Sequence, residues 1–478
     1  MKKFFNVLFM VSALLAFSIS SEPSPLELVS RLVTSGHWQE AEKAISTALQ
    51  NEGLNFHTRQ GLLFQRERMR RLALDFNKNC DQVLQEMQRI VPEVNATMLD
   101  KWEKAGSVEC LIVDGGKRYF SEAAANVFRV NSQARALKER RTPPMNKTWL
   151  AMRENIAEII RRHDRNGETL CDPRRFRVEY TLTVKADAVP AGEILRAWLP
   201  FPQEGGRQRD VRLLESDPAH GWIAPESRAQ RSVYLEKTAV AGEPTRFRIT
   251  FQYTSSGFYR HLDEREVRPV EPVNGGPEIA DSLGERPPHV VFTPELRALS
   301  RQIIGDEKNP LAQARLIFIW MNGHVPWAAA REYSTIDNIS DYARRHSWGD
   351  CGIQTLLFIT LCRLNNIPAR WESGWTTGAN WNMHDWSQIY LAPYGWIPVD
   401  VSYGLMPSPD QRQRFFYFGN IDSHRLVVNR DYSQALYPAK VFFRSETVDF
   451  QRGEVEWAGG NLYFDQWDWH YKAEPVTP

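Results

Sequence analysis

Apolar residues recur with two different periods along the chain, and the places where the period changes divide it. Over residues 25–162 the spacing is helical. Pro25-Leu26-Glu27 opens one segment, Gly36 interrupts it, and Trp38-Gln39-Glu40-Ala41-Glu42 opens a second that ends near Gln50. This pair looks like one tetratricopeptide-type repeat, with no convincing second copy to build a solenoid. Further helices are predicted over residues 59–76, 80–90 and 149–163, with a short hairpin over 110–120 around Asp114-Gly115-Gly116. From Phe176 the period becomes two: Phe176, Val178, Tyr180, Leu182 and Val184 alternate with Arg177, Glu179, Thr181, Thr183 and Lys185. Phe247, Ile249, Phe251 and Tyr253 repeat the alternation, and residues 194–201 and 232–236 read as strands between them. Several short strands with Pro/Gly turns at Pro190-Ala191-Gly192 and Gly205-Gly206 predict an immunoglobulin-like β-sandwich over residues 172–258.

A Pro/Gly/acid-rich linker over 259–289 leads to a third region, where helices and strands follow each other closely. Thr293-Pro294 reads as a cap followed by Pro at the first helical position, and helices are expected over 311–321 and 337–345. Then Ile353, Leu356, Leu357, Leu361 and Leu364 recur at helical spacing, with Cys351 in the first turn. A helix N-terminus favours thiolate over thiol, which a nucleophilic cysteine needs. Asn365-Asn366 and Pro368 end that helix. Strands are predicted over 369–375, 384–391 and 396–403, the last two joined at Pro393-Tyr394-Gly395. His384, Trp386, Gln388 and Tyr390 share one face, and Asp400 sits late in the third strand. A thiol, an imidazole and a carboxylate in this order supply nucleophile, proton shuttle and orienting group. Cys362, deep in the same apolar run, reads as core.

The blocks that carry these three residues resemble the transglutaminase-like superfamily. They are Gly349-Asp350-Cys351, Leu361-Cys362-Arg363, Ile367-Pro368-Ala369-Arg370, His384-Asp385-Trp386 and Gly395-Trp396-Ile397-Pro398-Val399-Asp400. Gln388 stands where the family often has Glu, and Val401-Ser402 where it has Pro-Thr. The resemblance implies an α+β, papain-like core: a helix bearing the cysteine packed on an antiparallel sheet, with Cys351, His384 and Asp400 catalytic. It also implies acyl-enzyme chemistry through a thioester, with the Cys351 N–H and a donor from Trp327, Tyr333 or Trp348 in the oxyanion hole.

Composition narrows the setting. The chain of 478 residues has room for about three domains. With 59 basic and 58 acidic residues its net charge is +1, which gives no global field for nucleic acid or an anionic membrane. Lys2-Lys3, the apolar run over 4–17 and Ser18, Ser20 and Ser21 read as an export signal over residues 1–21, too short to span a membrane. In an exported chain an odd count of five cysteines means at least one free thiol or an intermolecular bridge; Cys351 as a free nucleophile accounts for that, and Cys80 with Cys110 is a possible disulfide. No zinc-type spacing and no cofactor motif is present.

The expectation is a secreted or periplasmic enzyme acting on protein or peptide, with no nucleic-acid partner and no stable membrane insertion once the signal is removed. Its domains run 1–21 (signal), 24–165 (helical), 172–258 (sandwich), 259–289 (linker) and 290–478 (catalytic, with C-terminal strands). Amide hydrolysis is the expected reaction. Glutamine transamidation and an inactive protein- or glycan-binding role are the alternatives.

Overall fold

The computed structural model describes residues 23–270, 276–377 and 382–476. The signal expected over 1–21 lies outside the described residues, as does part of the 259–289 linker. No helix among the described residues is long and apolar enough to cross a membrane.

Among the described residues two compact units emerge, one of residues 23–70 with Ile112–Gly116, the other of Arg71–Leu111 and the described residues from Lys117 to 476. In the first, Pro25–Thr34 starts at a capping box in which Ser24 and Glu27 satisfy each other's backbone N–H groups. Trp38–Leu49 follows, and Val29, Val33, Ala41 and Ile45 are buried. Gly36 turns the chain between these helices at φ 80°, where a β-carbon would sit 1.9 Å from the Ile112 carbonyl oxygen.

The second unit opens with helices. Cys80–Ile90 and Lys147–Asn166 match the hydrophobic period. Ala96–Lys104, Ala123–Val130 and Ser132–Arg141 do not emerge from it, because helices of 8 to 10 residues offer too few turns for a period to register. Side-chain caps from Asn95 and Asn131 start two of them. All five cysteines are free thiols, so the Cys80–Cys110 disulfide does not form.

Two antiparallel sheets come next. Leu170–Val184 pairs with Thr245–Phe258, which also pairs with Gln208–Asp217. Ile194–Pro200 pairs with Ser232–Thr238, and Trp222–Ile223 extends that sheet. The strict alternation over Phe176–Val184 works as expected: Phe176, Val178, Tyr180, Leu182 and Val184 enter a core shared with Leu195, Trp198, Val233 and Leu235. Gln208–Asp217 escaped the sequence reading because it is a bulged strand rich in Arg, Asp and Glu, with few buried positions.

The strands from Glu454 onward pair into these two sheets, whereas Arg425–Asn429 pairs with Ala369–Thr376. Trp467–Pro475 pairs with Leu170–Val184, and Glu454–Trp457 pairs with both Ile194–Pro200 and Gly460–Leu462. Residues 172–258 alone therefore do not complete either sheet. No strand forms over residues 440–444. There the Val441 and Phe442 N–H groups donate to the Glu456 carboxylate instead of a neighbouring strand.

The remaining layer packs helices Pro294–Ile304, Pro310–His324, Ile339–His346 and Cys351–Leu364 on a four-stranded antiparallel sheet. Its strand order is Gly395–Val399, Asn382–Leu391, Ala369–Thr376, Arg425–Asn429. Every residue from Gly352 to Arg363 is buried, so Cys351–Leu364 is a core helix rather than an amphipathic surface one. Leu356, Leu357, Ile359 and Leu361 sit in one cluster with Trp371, Ile389, Ile397 and Val399. Each such side chain contributes roughly 1.5–3 kcal/mol by burial, which holds the helix on that face of the sheet.

Candidate active site

Asp350 starts the cysteine helix: its carboxylate accepts from the Ile353 N–H at 3.1 Å and from the Tyr333 hydroxyl at 2.7 Å. Burial pushes this carboxyl up to about 6. Gly352 makes room for Tyr333, since a β-carbon there would lie 2.2 Å from the phenol oxygen. Cys351 follows Asp350 and opens into a cleft of about 210 Å³, lined by Trp327, Tyr333, Asp385, Glu446, Asp449 and Arg452 among others.

The helix start does not leave the sulfur as a thiolate. The Cys351 thiol donates to the Asp385 carboxylate at 3.3 Å. Burial, then the charges of Asp385 and Asp350, push the thiol well above its usual range. Two nearby carboxylates outweigh the partial charge of one helix end. Asp385 itself is pushed up by burial and by Asp350, and its other oxygen accepts from Gln451 at 2.7 Å.

His384 and Asp400 are brought together. His384 Nε2 lies 2.7 Å from Asp400 Oδ2, with both side chains buried. The strand ends at Val399, so Asp400 sits just past it, shorter than the 396–403 strand expected. There Asp400 accepts from the Ser402 and Tyr403 N–H groups at 3.1 and 2.9 Å. Burial opposes its ionisation, but His384, Arg425 and these hydrogen bonds win and hold its carboxyl down at about 2. The Arg425 guanidinium lies 2.9 Å from Asp400 and 2.8 Å from Asp422, with all three side chains almost fully buried. The Tyr403 ring covers the imidazole at a centroid distance of 4.6 Å.

Cys351 makes no hydrogen bond to His384 among the described residues, contrary to the simplest expectation. The reason is the pleat. Consecutive strand residues project to opposite faces, and the cysteine helix packs on the face of Trp371 and Ile389. Cross-strand pairing puts Asp385 and Ser373 on that face, and His384 and Gly374 on the other. The imidazole Nδ1 has no hydrogen-bond partner among the described residues, leaving one nitrogen uncommitted.

Of the three oxyanion-hole donors considered, Trp327 and Tyr333 line the cleft. Tyr333 spends its hydroxyl on Asp350. Trp348 is buried against Tyr342, with ring centroids 5.7 Å apart, and does not line the cleft. The cleft wall over residues 327–334 is fastened by the helical region. Asn126 Nδ2 donates to the Ala329 carbonyl at 2.7 Å while its Oδ1 accepts from the Ala329 N–H at 3.0 Å. Asp75 accepts from the Glu332 N–H at 3.0 Å, and Glu332 takes two hydrogen bonds from Arg452 at 2.8 and 2.7 Å.

Sequence reasoning missed Arg425, Asp385 and Asn126. Arg425 left a signal: a lone guanidinium opening the apolar strand Arg425–Asn429 must find buried carboxylates. Asn126 left none, because its partner is a backbone amide distant in sequence.

Residues 297–401 match the transglutaminase-like superfamily. No curated protein matches the chain. Among solved structures, a candidate cysteine protease from Cytophaga hutchinsonii is similar at 16% identity and TM-score 0.45, over 65% of this chain and 93% of that one. The periplasmic domain of TgpA from Pseudomonas aeruginosa is similar at 15% identity and TM-score 0.26, over 50% and 91%. A candidate protease from Parabacteroides distasonis gives 11% identity and TM-score 0.20, over 46% and 47%.

Proposed function

We propose, from the transglutaminase-like core at residues 297–401, that this chain is an exported, thiol-dependent amide-bond hydrolase with Cys351 as nucleophile. The observation that carries the reading is the placement of Cys351 at the first position of a buried helix, open to a cleft, beside a sheet in which His384 on Asn382–Leu391 is paired with Asp400, just past Gly395–Val399. Export rests on the leader-like residues 1–21.

The chemistry follows from the two ends of the imidazole. Asp400 holds Nε2 as the protonated nitrogen and leaves Nδ1 as the base. Because His384 projects to the sheet face away from the cysteine helix, the imidazole must first turn into the cleft; there the thiol leaves the Asp385 carboxyl, passes its proton to Nδ1, and the sulfur bonds to the amide carbon. The developing oxyanion takes the Cys351 N–H and the Trp327 indole N–H. Collapse breaks the C–N bond as imidazolium protonates the leaving amine, giving a thioester. Water, deprotonated by Nδ1, then releases the acid and restores the thiol.

Two single variants test this on a peptide library with product detection by mass spectrometry. Cys351→Ala is expected to lose all cleavage and deamidation, whereas Cys362→Ala, altered deep in the core, keeps most activity if folded. Iodoacetamide should label Cys351 ahead of Cys362 in the native chain. Retained activity in Cys351→Ala, or preferential labelling of Cys362, would sink the assignment.

A further inference from the structure

We propose that the sheet face turned away from Cys351 carries a second binding site, for a carboxylate or phosphate oxyanion seated on Arg207. A cavity of about 360 Å³ opens there, lined by Arg207, Arg370, Arg430, Glu372, Gln208 and Gln388 among others. Its place on the sheet follows from register. Arg370 pairs with Gln388 and Glu372 with Trp386 across neighbouring strands, on the face opposite Trp371 and Ile389, where the cysteine helix packs.

Arg207 is only 8% exposed, yet its Nε, Nη1 and Nη2 atoms have no hydrogen-bond partner among the described residues. Its sole ion pair there, with Glu372, is 3.6 Å long, and that carboxylate already accepts from the Trp386 indole at 2.7 Å. The other two cations are spoken for: Arg370 donates to Gln388 and Glu278, and Arg430 to the Glu204 carbonyl. A buried guanidinium with every N–H unpaired costs several kcal/mol unless something occupies the space in front of it.

The local chemistry selects the occupant. Three guanidinium groups face two carboxylates, Glu372 and Glu278, so the cavity is net positive and disfavours a cation. Water would accept the N–H groups without balancing the charge. An oxyanion does both, since a planar guanidinium presents paired donors spaced for two oxygens. Burial draws the Arg207 pKa down, and a bound anion would oppose that. Gly205 and Gly206, at φ 109° and 63°, turn the chain just before Arg207 and bring its side chain over the Trp386 ring at 5.5 Å.

Calorimetric titration of the full chain in chloride buffer, with inorganic phosphate in one arm and succinate in the other, tests the site and separates the two sources. At least one should bind saturably at one site per chain. Arg207→Met should weaken that binding at least tenfold, while Cys351→Ala binds as wild type does. Arg430→Gln, at the partly exposed rim, should weaken it several-fold and keeps the test open if Arg207→Met does not fold. Absence of saturable binding in both arms would mean that water alone fills the cavity. That result, or unchanged affinity in either arginine variant, overturns the proposal.

Discussion

Cys351 gives its hydrogen bond to Asp385, 3.3 Å away, and not to the neighbouring His384. Asp385 therefore adds a brake on the sulfur: burial first, and then the charge of this carboxylate, raise the thiol's pKa. Asp385→Asn keeps the side-chain shape and the acceptor for Gln451 while removing the charge. Alkylation by iodoacetamide at pH 8 should accelerate, because more of the thiol ionises. The midpoint of the rate–pH curve should move down. An unchanged curve would show that burial alone holds the thiol up.

The His384–Asp400–Arg425 group should report on stability as well as activity. The Asp400 carboxyl sits at about 2, below its ordinary 3.8, so the group favours the folded state above the unfolded value. That contribution, on the order of 2 kcal/mol, falls away as pH drops through 3.8 toward 2. Arg425→Gln leaves Asp400 and Asp422 buried without their cation and should cost about 3–5 kcal/mol at pH 7. Its deficit relative to wild type should shrink in acid, where those carboxyls protonate. Urea unfolding between pH 2.5 and 7 measures both effects, and a deficit independent of pH would separate Arg425 from the carboxylates. In the activity assay, His384→Ala should lose at least as much as Asp400→Ala, and the double variant little more than either.

Local pattern made much of the fold and the site legible. The helix over 351–364 is set by its own apolar run and the Asp350 cap, and the three strands after it by alternation and a Pro-Tyr-Gly turn. What escaped is what depends on partners distant in the chain. Trp467–Pro475 reads locally as an aromatic tail, and only pairing with Leu170–Val184 makes it a sandwich strand. Asp385 was in plain view beside His384, but its influence on the thiol depends on which face the cysteine helix covers. That is a tertiary choice made by Trp371, Ile389 and Val399.

Asn126 offers a test of whether the helical region serves the cleft. Its amide holds both backbone groups of Ala329, two residues from Trp327. Asn126→Ala should cost about 1–3 kcal/mol in stability, since one buried donor and one acceptor lose their partners. If the clamp positions Trp327 for the oxyanion, kcat should fall several-fold with KM nearly constant. A purely structural clamp would lower stability and leave kcat untouched in the folded fraction.

Water should outrun amines as the acceptor for the thioester. Residues 378–381 lie outside the described residues, so the case rests on the charges around Cys351. Asp385, Glu446 and Asp449 line the cleft with Asp350, against Arg331 and Arg452. Asp449, 7% exposed, makes no side-chain hydrogen bond or ion pair among the described residues. A lysine entering such a cleft is held as its ammonium ion, because nearby carboxylates raise an amine's pKa. An ammonium has no lone pair with which to attack, whereas water needs only the imidazole base. Incubating the chain with a glutamine-containing peptide and a labelled primary amine should release ammonia or cleaved peptide faster than label is incorporated. Asp449→Asn should raise the incorporated share, because less of the bound amine stays protonated. Incorporation outpacing both deamidation and cleavage in the unaltered chain would make it a transamidase instead.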